Sequence, residues 1–189
     1  MRITGGKLGG RRLESPKDAR VRPTSDRTRQ AIFNILEHRD FEIGFTLENI
    51  AVADLFAGTG ALGIEALSRG GRFCLMVDDD ADSRALLREN IESLSLTGVT
   101  KIWRRDATDL GPLGAGAGGP FGLVFLDPPY RQNLIPPALK SLRDGGWLTP
   151  QALLVTETSK TEKIETEGFT ILDQRDYGDT EVAFLTPSE

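Results

Sequence analysis

Apolar and polar positions alternate along this chain in blocks, not residue by residue. Ile50 to Phe56 and Phe73 to Val77 are short apolar runs, each with glycine nearby, the pattern of strands buried on both faces. Lys101 to Arg104, Leu123 to Leu126 and Ala152 to Thr156 add three more predicted strands. Helical spacing fills the intervals, over Gly60 to Ser68, Asp80 to Leu94 and Leu134 to Leu142. An earlier helix is predicted after Pro23, where Thr24, Ser25 and Asp26 give a start signal and Ala31, Ile32, Ile35 and Leu36 form an apolar stripe. It should end between Glu37 and Asp40. Near the other end, Phe169 to Arg175 and Glu181 to Thr186 flank Tyr177-Gly178-Asp179, an antiparallel hairpin pattern. Repeated strand–helix units closed by such a pair predict an α/β fold, a mostly parallel sheet with helices on both faces.

Two segments fall outside the alternation. Residues 1–22 carry Gly5-Gly6 and Gly9-Gly10 among isolated Ile and Leu positions, which suggests a small hairpin or a loosely docked arm. Gly111 to Gly119 has five glycines in nine residues and is expected to be a flexible surface connector.

Charge changes the picture only at the N-terminus. The formal net charge is −5, yet residues 1–30 hold nine Lys or Arg against three acids. A basic arm on an acidic body suits a phosphate-binding appendage, and equally a solvated tail. The single cysteine, Cys74, excludes an internal disulfide and a Cys-based zinc site. The single histidine, His38, leaves no His triad and no His-metal cluster. The apolar runs are too short to span a membrane, and Met1-Arg2-Ile3-Thr4 lacks a signal-peptide core, so a cytoplasmic protein is expected.

Two motifs carry candidate chemistry. In Asp54-Leu55-Phe56-Ala57-Gly58-Thr59-Gly60-Ala61-Leu62-Gly63, a glycine-rich turn joins a buried strand to a helix. Glycine lets backbone approach a ligand, and a helix N-terminus favours an anionic group. Asp78 ends the second strand, where a carboxylate can accept both hydroxyls of an adenosine ribose. Asp106 follows the third strand, with Ala107 beside it; together they suit the amino group and a ring nitrogen of adenine, although a helix cap is the competing role for Asp106. Asp54 is expected to face the amino-acid end of a cofactor, while Asp79 and Asp80 remain ambiguous. The Gly58-x-Gly60-x-x-Gly63 spacing also fits a nicotinamide dinucleotide, so the turn does not choose between cofactors.

The second motif is Asp127-Pro128-Pro129-Tyr130, directly after the Leu123 to Leu126 strand. Two prolines end the ladder and force the chain out at the strand's C-terminal edge. The Asp127 side chain and Pro128 carbonyl then offer two acceptors, which suit both N–H bonds of an exocyclic amine. Tyr130 offers a face on which a flipped base can stack. An activated methyl donor needs alignment more than a base, which agrees with a chain holding a single histidine.

With these residues in view, the chain resembles class I methyltransferases bearing an (Asp/Asn/Ser)-Pro-Pro-(Tyr/Phe) motif. More narrowly it resembles the bacterial small-subunit (16S) ribosomal RNA guanine-N2 methyltransferases of the RsmD type. Besides the two motifs, the resemblance covers Arg2-Ile3-Thr4-Gly5-Gly6-Lys7-Leu8-Gly9-Gly10-Arg11-Arg12-Leu13, Arg22-Pro23-Thr24-Ser25-Asp26-Arg27-Thr28-Arg29, Ile32-Phe33-Asn34-Ile35-Leu36 and Tyr177-Gly178-Asp179-Thr180, and the N-terminal pattern is the most discriminating. The resemblance implies a Rossmann-like seven-stranded sheet of order 3-2-1-4-5-7-6 with strand 7 antiparallel. It implies S-adenosyl-L-methionine as cofactor, bound by Asp54, Phe56, Gly58, Gly60, Asp78, Asp79, Asp106 and Ala107. Its implied substrate is a guanine of 16S ribosomal RNA, presented in a 30S assembly particle to a monomeric enzyme. Arg11, Arg12, Arg20, Arg22, Arg27 and Arg29 would neutralise RNA phosphates. The expected division is an RNA-contacting arm with the first helix over 1–40 and a catalytic domain over 41–189. An adenine-N6 or cytosine-N4 methyltransferase, a nicotinamide-dependent oxidoreductase and a non-catalytic RNA-binding protein are the alternatives.

Overall fold

A computed structural model of the chain describes residues 1–16 and 25–188. Seven strands form one sheet: β1 (Ala51–Leu55), β2 (Phe73–Val77), β3 (Thr100–Trp103), β4 (Phe121–Leu126), β5 (Leu148–Ser159), β6 (Phe169–Tyr177) and β7 (Thr180–Pro187). Their order is β3-β2-β1-β4-β5-β7-β6. All pairs from β3 to β5 are parallel, and β7 runs antiparallel to both neighbours. The topology is the one the resemblance implied.

The central strands are apolar but for Asp54 because both faces are covered; β1 and β4 are buried at every position. One face is covered by α1 (Asp26–His38), α2 (Ala61–Ser68) and α3 (Ala81–Ser93), through Phe33, Ile64, Leu87 and Ile91. The other is covered by α4 (Ile135–Asp144), whose Ala138, Leu139 and Leu142 pack with Trp147. Ser25 caps α1, its hydroxyl accepting from the Thr28 N–H at 3.1 Å.

The N-terminal segment is a docked hairpin. The Ile3 N–H donates to the Arg11 carbonyl at 3.0 Å, the Gly10 N–H donates to the Ile3 carbonyl at 2.8 Å, and Arg2 bridges Arg12 antiparallel. Ile3 and Leu13 lie in the same core as α1 and α2. Gly6 has φ +72°, and a β-carbon there would stand 2.0 Å from the Ser68 carbonyl oxygen, so only glycine lets this backbone press on the end of α2. Hydrophobic packing runs across the boundary expected at residue 40.

The Gly111 to Gly119 segment also departs from expectation. It is tied down as a packed turn: the Leu113 N–H donates to Gly145 at 2.8 Å, the Trp147 indole donates to the Gly111 carbonyl at 2.7 Å, and Ala117 is fully buried. Small residues serve here to let the turn lie against Phe73 and Phe121, not to keep it free. β5 is longer than the apolar run Ala152 to Thr156, because its polar end, Thr156 to Ser159, is buried by pairing with β7.

Candidate active site

Register places the chemistry-bearing residues on one rim. Leu55 pairs with Val77 and with Leu126, and Leu126 pairs with Thr156. The next residue of each strand is therefore Phe56, Asp78, Asp127 or Glu157, four neighbours across the C-terminal edge in the order β2, β1, β4, β5. At about 4.8 Å per strand, Asp78 and Asp127 stand roughly 10 Å apart, a span suited to an extended ligand lying across the edge of β1.

The turn after β1 has unusual backbone. Phe56 has φ +59°, and Gly58 and Gly60 follow at +53° and +78°. An aromatic residue in the left-handed region is strained and is kept there by its surroundings. Asp78 supplies part of that constraint: its Oδ2 accepts from the Gly58 N–H at 2.8 Å and its Oδ1 from the Asp80 N–H at 2.9 Å. Partial burial raises its pKa, while those two hydrogen bonds oppose the rise. Arg84 also reaches this corner, donating to the Asp78 carbonyl at 3.1 Å. Gly60 is needed for packing, since a β-carbon there would come within 2.7 Å of Leu87.

Asp54 is placed differently from the expectation. It is enclosed at 2% exposure beneath the turn, and its Oδ2 accepts from the Gly63 N–H at 2.9 Å. Its carboxyl shapes the turn from within the core. Burial pushes its pKa up to about 8, the Gly63 hydrogen bond opposes this, and the Asp78 charge adds to it. Asp80 is the N-cap of α3, its Oδ2 accepting from the Ser83 N–H at 2.7 Å. Asp79 is exposed beside it. Asp106 is exposed at the β3 end of the rim, where Oδ1 accepts from the Thr108 N–H and hydroxyl at 2.8 and 2.6 Å. Those bonds hold its pKa below the ordinary value. Ala107 beside it is buried.

Asp127 is half-buried, Pro128 buried, and Pro129 and Tyr130 exposed, so the tetrapeptide presents its aromatic ring at the surface of the rim. The ring is anchored at its far end: the Tyr130 hydroxyl donates to Glu157 Oε1 at 2.9 Å and lies 2.8 Å from Thr180 Oγ1. Glu157 and Thr180 did not emerge as site residues from the sequence. A signal for Glu157 was present, an acid inside the otherwise uncharged stretch Ala152 to Ser159.

The predicted RNA-contacting arginines divide. Arg11, Arg12 and Arg27 are exposed on the docked hairpin and on α1, while Arg20 and Arg22 lie outside the described residues. Arg29 is fully buried and belongs to the core. Its guanidinium donates to Glu65 Oε2 at 3.1 Å, to Asp26 Oδ1 at 2.8 Å and to the Arg2 carbonyl. Glu65, in α2, is itself fully buried and also accepts from the Thr4 and Gly5 N–H groups, the Thr4 hydroxyl and Arg69. The arginine that sequence assigned to phosphate thus fastens the arm and α1 to the helix that carries the glycine turn. Asn90 makes a second fastening: it exchanges hydrogen bonds with the Glu14 backbone at 2.8 and 3.1 Å and donates to the Thr59 carbonyl in the turn at 2.9 Å.

A Rossmann-like sheet of this order, with a glycine turn after β1 and an Asp-Pro-Pro-Tyr exit from β4, defines a methyltransferase architecture. Comparison with known proteins narrows the class. Residues 1–186 match the model of the family described as conserved hypothetical protein 95. The chain is 34% identical to ribosomal RNA small subunit methyltransferase D of Escherichia coli over 158 residues, covering 84% of this chain and 74% of that protein. It is 32% identical to the protein of the same name from Haemophilus influenzae, covering 94% and 89%. Among solved structures, yhhF from Escherichia coli superposes with a TM-score of 0.78 at 26% identity, covering 99% and 97%. The chain belongs to this family, the RsmD-type methyltransferases.

Proposed function

We propose that the chain transfers a methyl group from S-adenosyl-L-methionine to the exocyclic N2 amino group of a guanine in small-subunit ribosomal RNA, in the cytoplasm. The observation that carries the proposal is the pairing of Leu55 with Leu126, which sets the glycine turn and Asp127-Pro128-Pro129-Tyr130 side by side on one rim. The residues fit the cofactor. Asp78 stands at the end of β2 with its carboxylate fixed by two backbone N–H groups, the strained Phe56–Gly60 turn lies beside it, and Asp106 and Ala107 end the row. In this reading Asp78 accepts the ribose hydroxyls, and Asp79 borders them. The Gly58 and Gly60 turn lets the backbone approach, and Asp106 with the Ala107 N–H takes the adenine edge. When bound, S-adenosylmethionine supplies a methyl already activated by its sulfonium.

The chain's own groups then have to align an amine. Asp127 and the Pro128 carbonyl accept the two N–H bonds of guanine N2, which directs the nitrogen lone pair toward the methyl and stabilises charge that develops there. Pro129 keeps the exit rigid, and Tyr130 stacks on the flipped base. Arg11, Arg12 and Arg27, exposed on the N-terminal elements, neutralise phosphates, and Arg20 and Arg22 join them in this reading. The relatives named ribosomal RNA small subunit methyltransferase D support ribosomal RNA as the target, presented in a 30S assembly particle to a monomeric enzyme.

Calorimetry with S-adenosylhomocysteine and with NAD tests the cofactor: the former should bind and the latter should not. Methyl transfer to small-subunit particles lacking the modification, read by nucleoside mass spectrometry, should yield N2-methylguanosine. Asp127→Ala should slow that transfer by about 10²–10³-fold with cofactor affinity intact. Preferential NAD binding, or a product methylated on adenine or cytosine, counts against the proposal.

A further inference from the structure

The chain leaving the tetrapeptide is held at three points by the C-terminal end of β5 and the β6–β7 hairpin. Tyr130 Oη donates to Glu157 Oε1 and meets Thr180 Oγ1, at 2.9 and 2.8 Å. One residue on, Arg131 has φ +62°, and its N–H donates to Glu162 Oε1 at 2.7 Å. Glu162 Oε2 in turn accepts from the Ser159 N–H at 3.3 Å, closing the loop after β5 onto the tetrapeptide. Glu157 is only 6% exposed. A carboxylate is withdrawn from water at considerable cost unless it is hydrogen-bonded, so a buried one at the rim has a purpose there. Thr180 opens β7 opposite Ser159, which makes the β6–β7 hairpin the second half of the frame.

We infer that Glu157 and Thr180 are positioning residues for methyl transfer: they fix the plane of the Tyr130 ring, and through it the plane of the base. The inference rests on the proposed role of Tyr130 as the stacking platform. A tyrosine tethered only at Cβ turns about two torsions. Its phenol oxygen lies on the χ2 axis, so anchoring Oη fixes χ1, while the preference of the conjugated O–H and lone pair for the ring plane turns that plane toward Glu157 and Thr180. A stacked base follows the ring, so a tilt displaces its amine from the acceptors at Asp127 and Pro128, and small misplacements of a reacting group slow a reaction strongly. Burial and the Glu157 charge raise the Tyr130 pKa, so the phenol stays a donor over the working pH range.

Single-turnover methyl transfer to small-subunit particles lacking the modification, at saturating S-adenosylmethionine, tests this in the full chain. The variants are Tyr130→Phe, Tyr130→Ala, Glu157→Ala, Glu157→Gln and the Tyr130→Phe/Glu157→Ala pair. Tyr130→Phe and Glu157→Ala should each slow transfer about tenfold or more, and the pair should be no slower than Tyr130→Phe alone, since the phenylalanine already lacks the bond to Glu157 as well as the one to Thr180. Glu157→Gln, whose amide oxygen still accepts from the phenol, should recover most of the rate. Affinity for S-adenosylhomocysteine should not change. If Glu157→Ala does not fold, Thr180→Val gives the same readout from the other partner. Normal transfer by Glu157→Ala, or losses that multiply in the pair, overturns the positioning role. Full activity in Tyr130→Ala overturns the platform itself. Loss in Tyr130→Ala with normal rates in Glu157→Ala and Thr180→Val leaves the platform standing and removes only the frame.

Discussion

Replacing Arg29 with methionine keeps most of the side chain's length and removes its charge at a site closed to solvent. The arginine is fully buried and bonded to Glu65, Asp26 and the Arg2 carbonyl. Without it, Glu65 keeps Arg69 and the Thr4 and Gly5 N–H groups, but the buried acid loses one of two cations. Breaking a buried ion pair by removing one partner costs about 3–5 kcal/mol, because the remaining charge stays desolvated. For a chain of this size that is a fall in Tm of about 6–20 °C. Thermal unfolding followed by circular dichroism measures the loss, and RNA binding at several salt concentrations measures the other possibility. The structure predicts a large drop in Tm and, below that temperature, an unchanged salt slope. A variant with wild-type stability whose salt slope is shallower by about one phosphate contact would refute the reasoning and return Arg29 to the RNA.

Replacing both Arg11 and Arg12 with alanine should do the converse: weaken RNA binding and flatten the salt slope by roughly 1.4–1.8, with unfolding and cofactor affinity unchanged, as filter binding from 50 to 200 mM salt will show. Asp54 gives a pH dependence. Its folded pKa near 8 lies above its unfolded value, so the folded state binds the extra proton, and stability is lost as pH rises from about 4 toward 8. Asp54→Asn should remove that fall, which is at most about 1.4 kcal/mol per pH unit, in urea titrations at pH 6 and 8. Asn90→Ala removes both the fastening of Glu14 and the bond to the Thr59 carbonyl. It should cost about 2–4 kcal/mol and weaken S-adenosylhomocysteine binding by loosening the glycine turn, and an unaltered affinity would show the turn to be independent of the arm.

What was legible in the sequence was what chemistry makes local. β2 and β4 announce themselves as unbroken apolar runs, and β1 as one broken only by Asp54, because both their faces are covered. The glycine turn and Asp127-Pro128-Pro129-Tyr130 do so because their backbone demands particular residues in a row. The Ser25 and Asp80 caps were similarly visible. What escaped was set by partners distant in the chain. Glu157 meets Tyr130 across 27 positions, Thr180 meets it across 50, and Glu65 meets Thr4 across 61. The end of β5 beyond Thr156 was missed because its burial comes from pairing with β7, a distant partner that the local sequence of Glu157 to Ser159 does not specify. The enclosure of the Asp54 carboxylate was hidden for a related reason: the motif fixes its position in the strand but not which way the carboxylate turns. Arg29 was different, since its spacing to Ile32, Phe33 and Leu36 already puts it on the apolar face of α1. The positive charge suggested an anionic ligand, whereas the helical period pointed to the core, and the period was the better guide.

The central claim is that the rim formed by Asp78, the Gly58 turn and Asp127-Pro128-Pro129-Tyr130 methylates one guanine of small-subunit ribosomal RNA. Nucleoside mass spectrometry with site mapping of that RNA, from cells with and without the gene, measures it directly. The account predicts the loss of a single N2-methylguanosine, restored by the wild-type gene and not by one encoding Asp127→Ala. An unchanged N2-methylguanosine profile in the small subunit would contradict it.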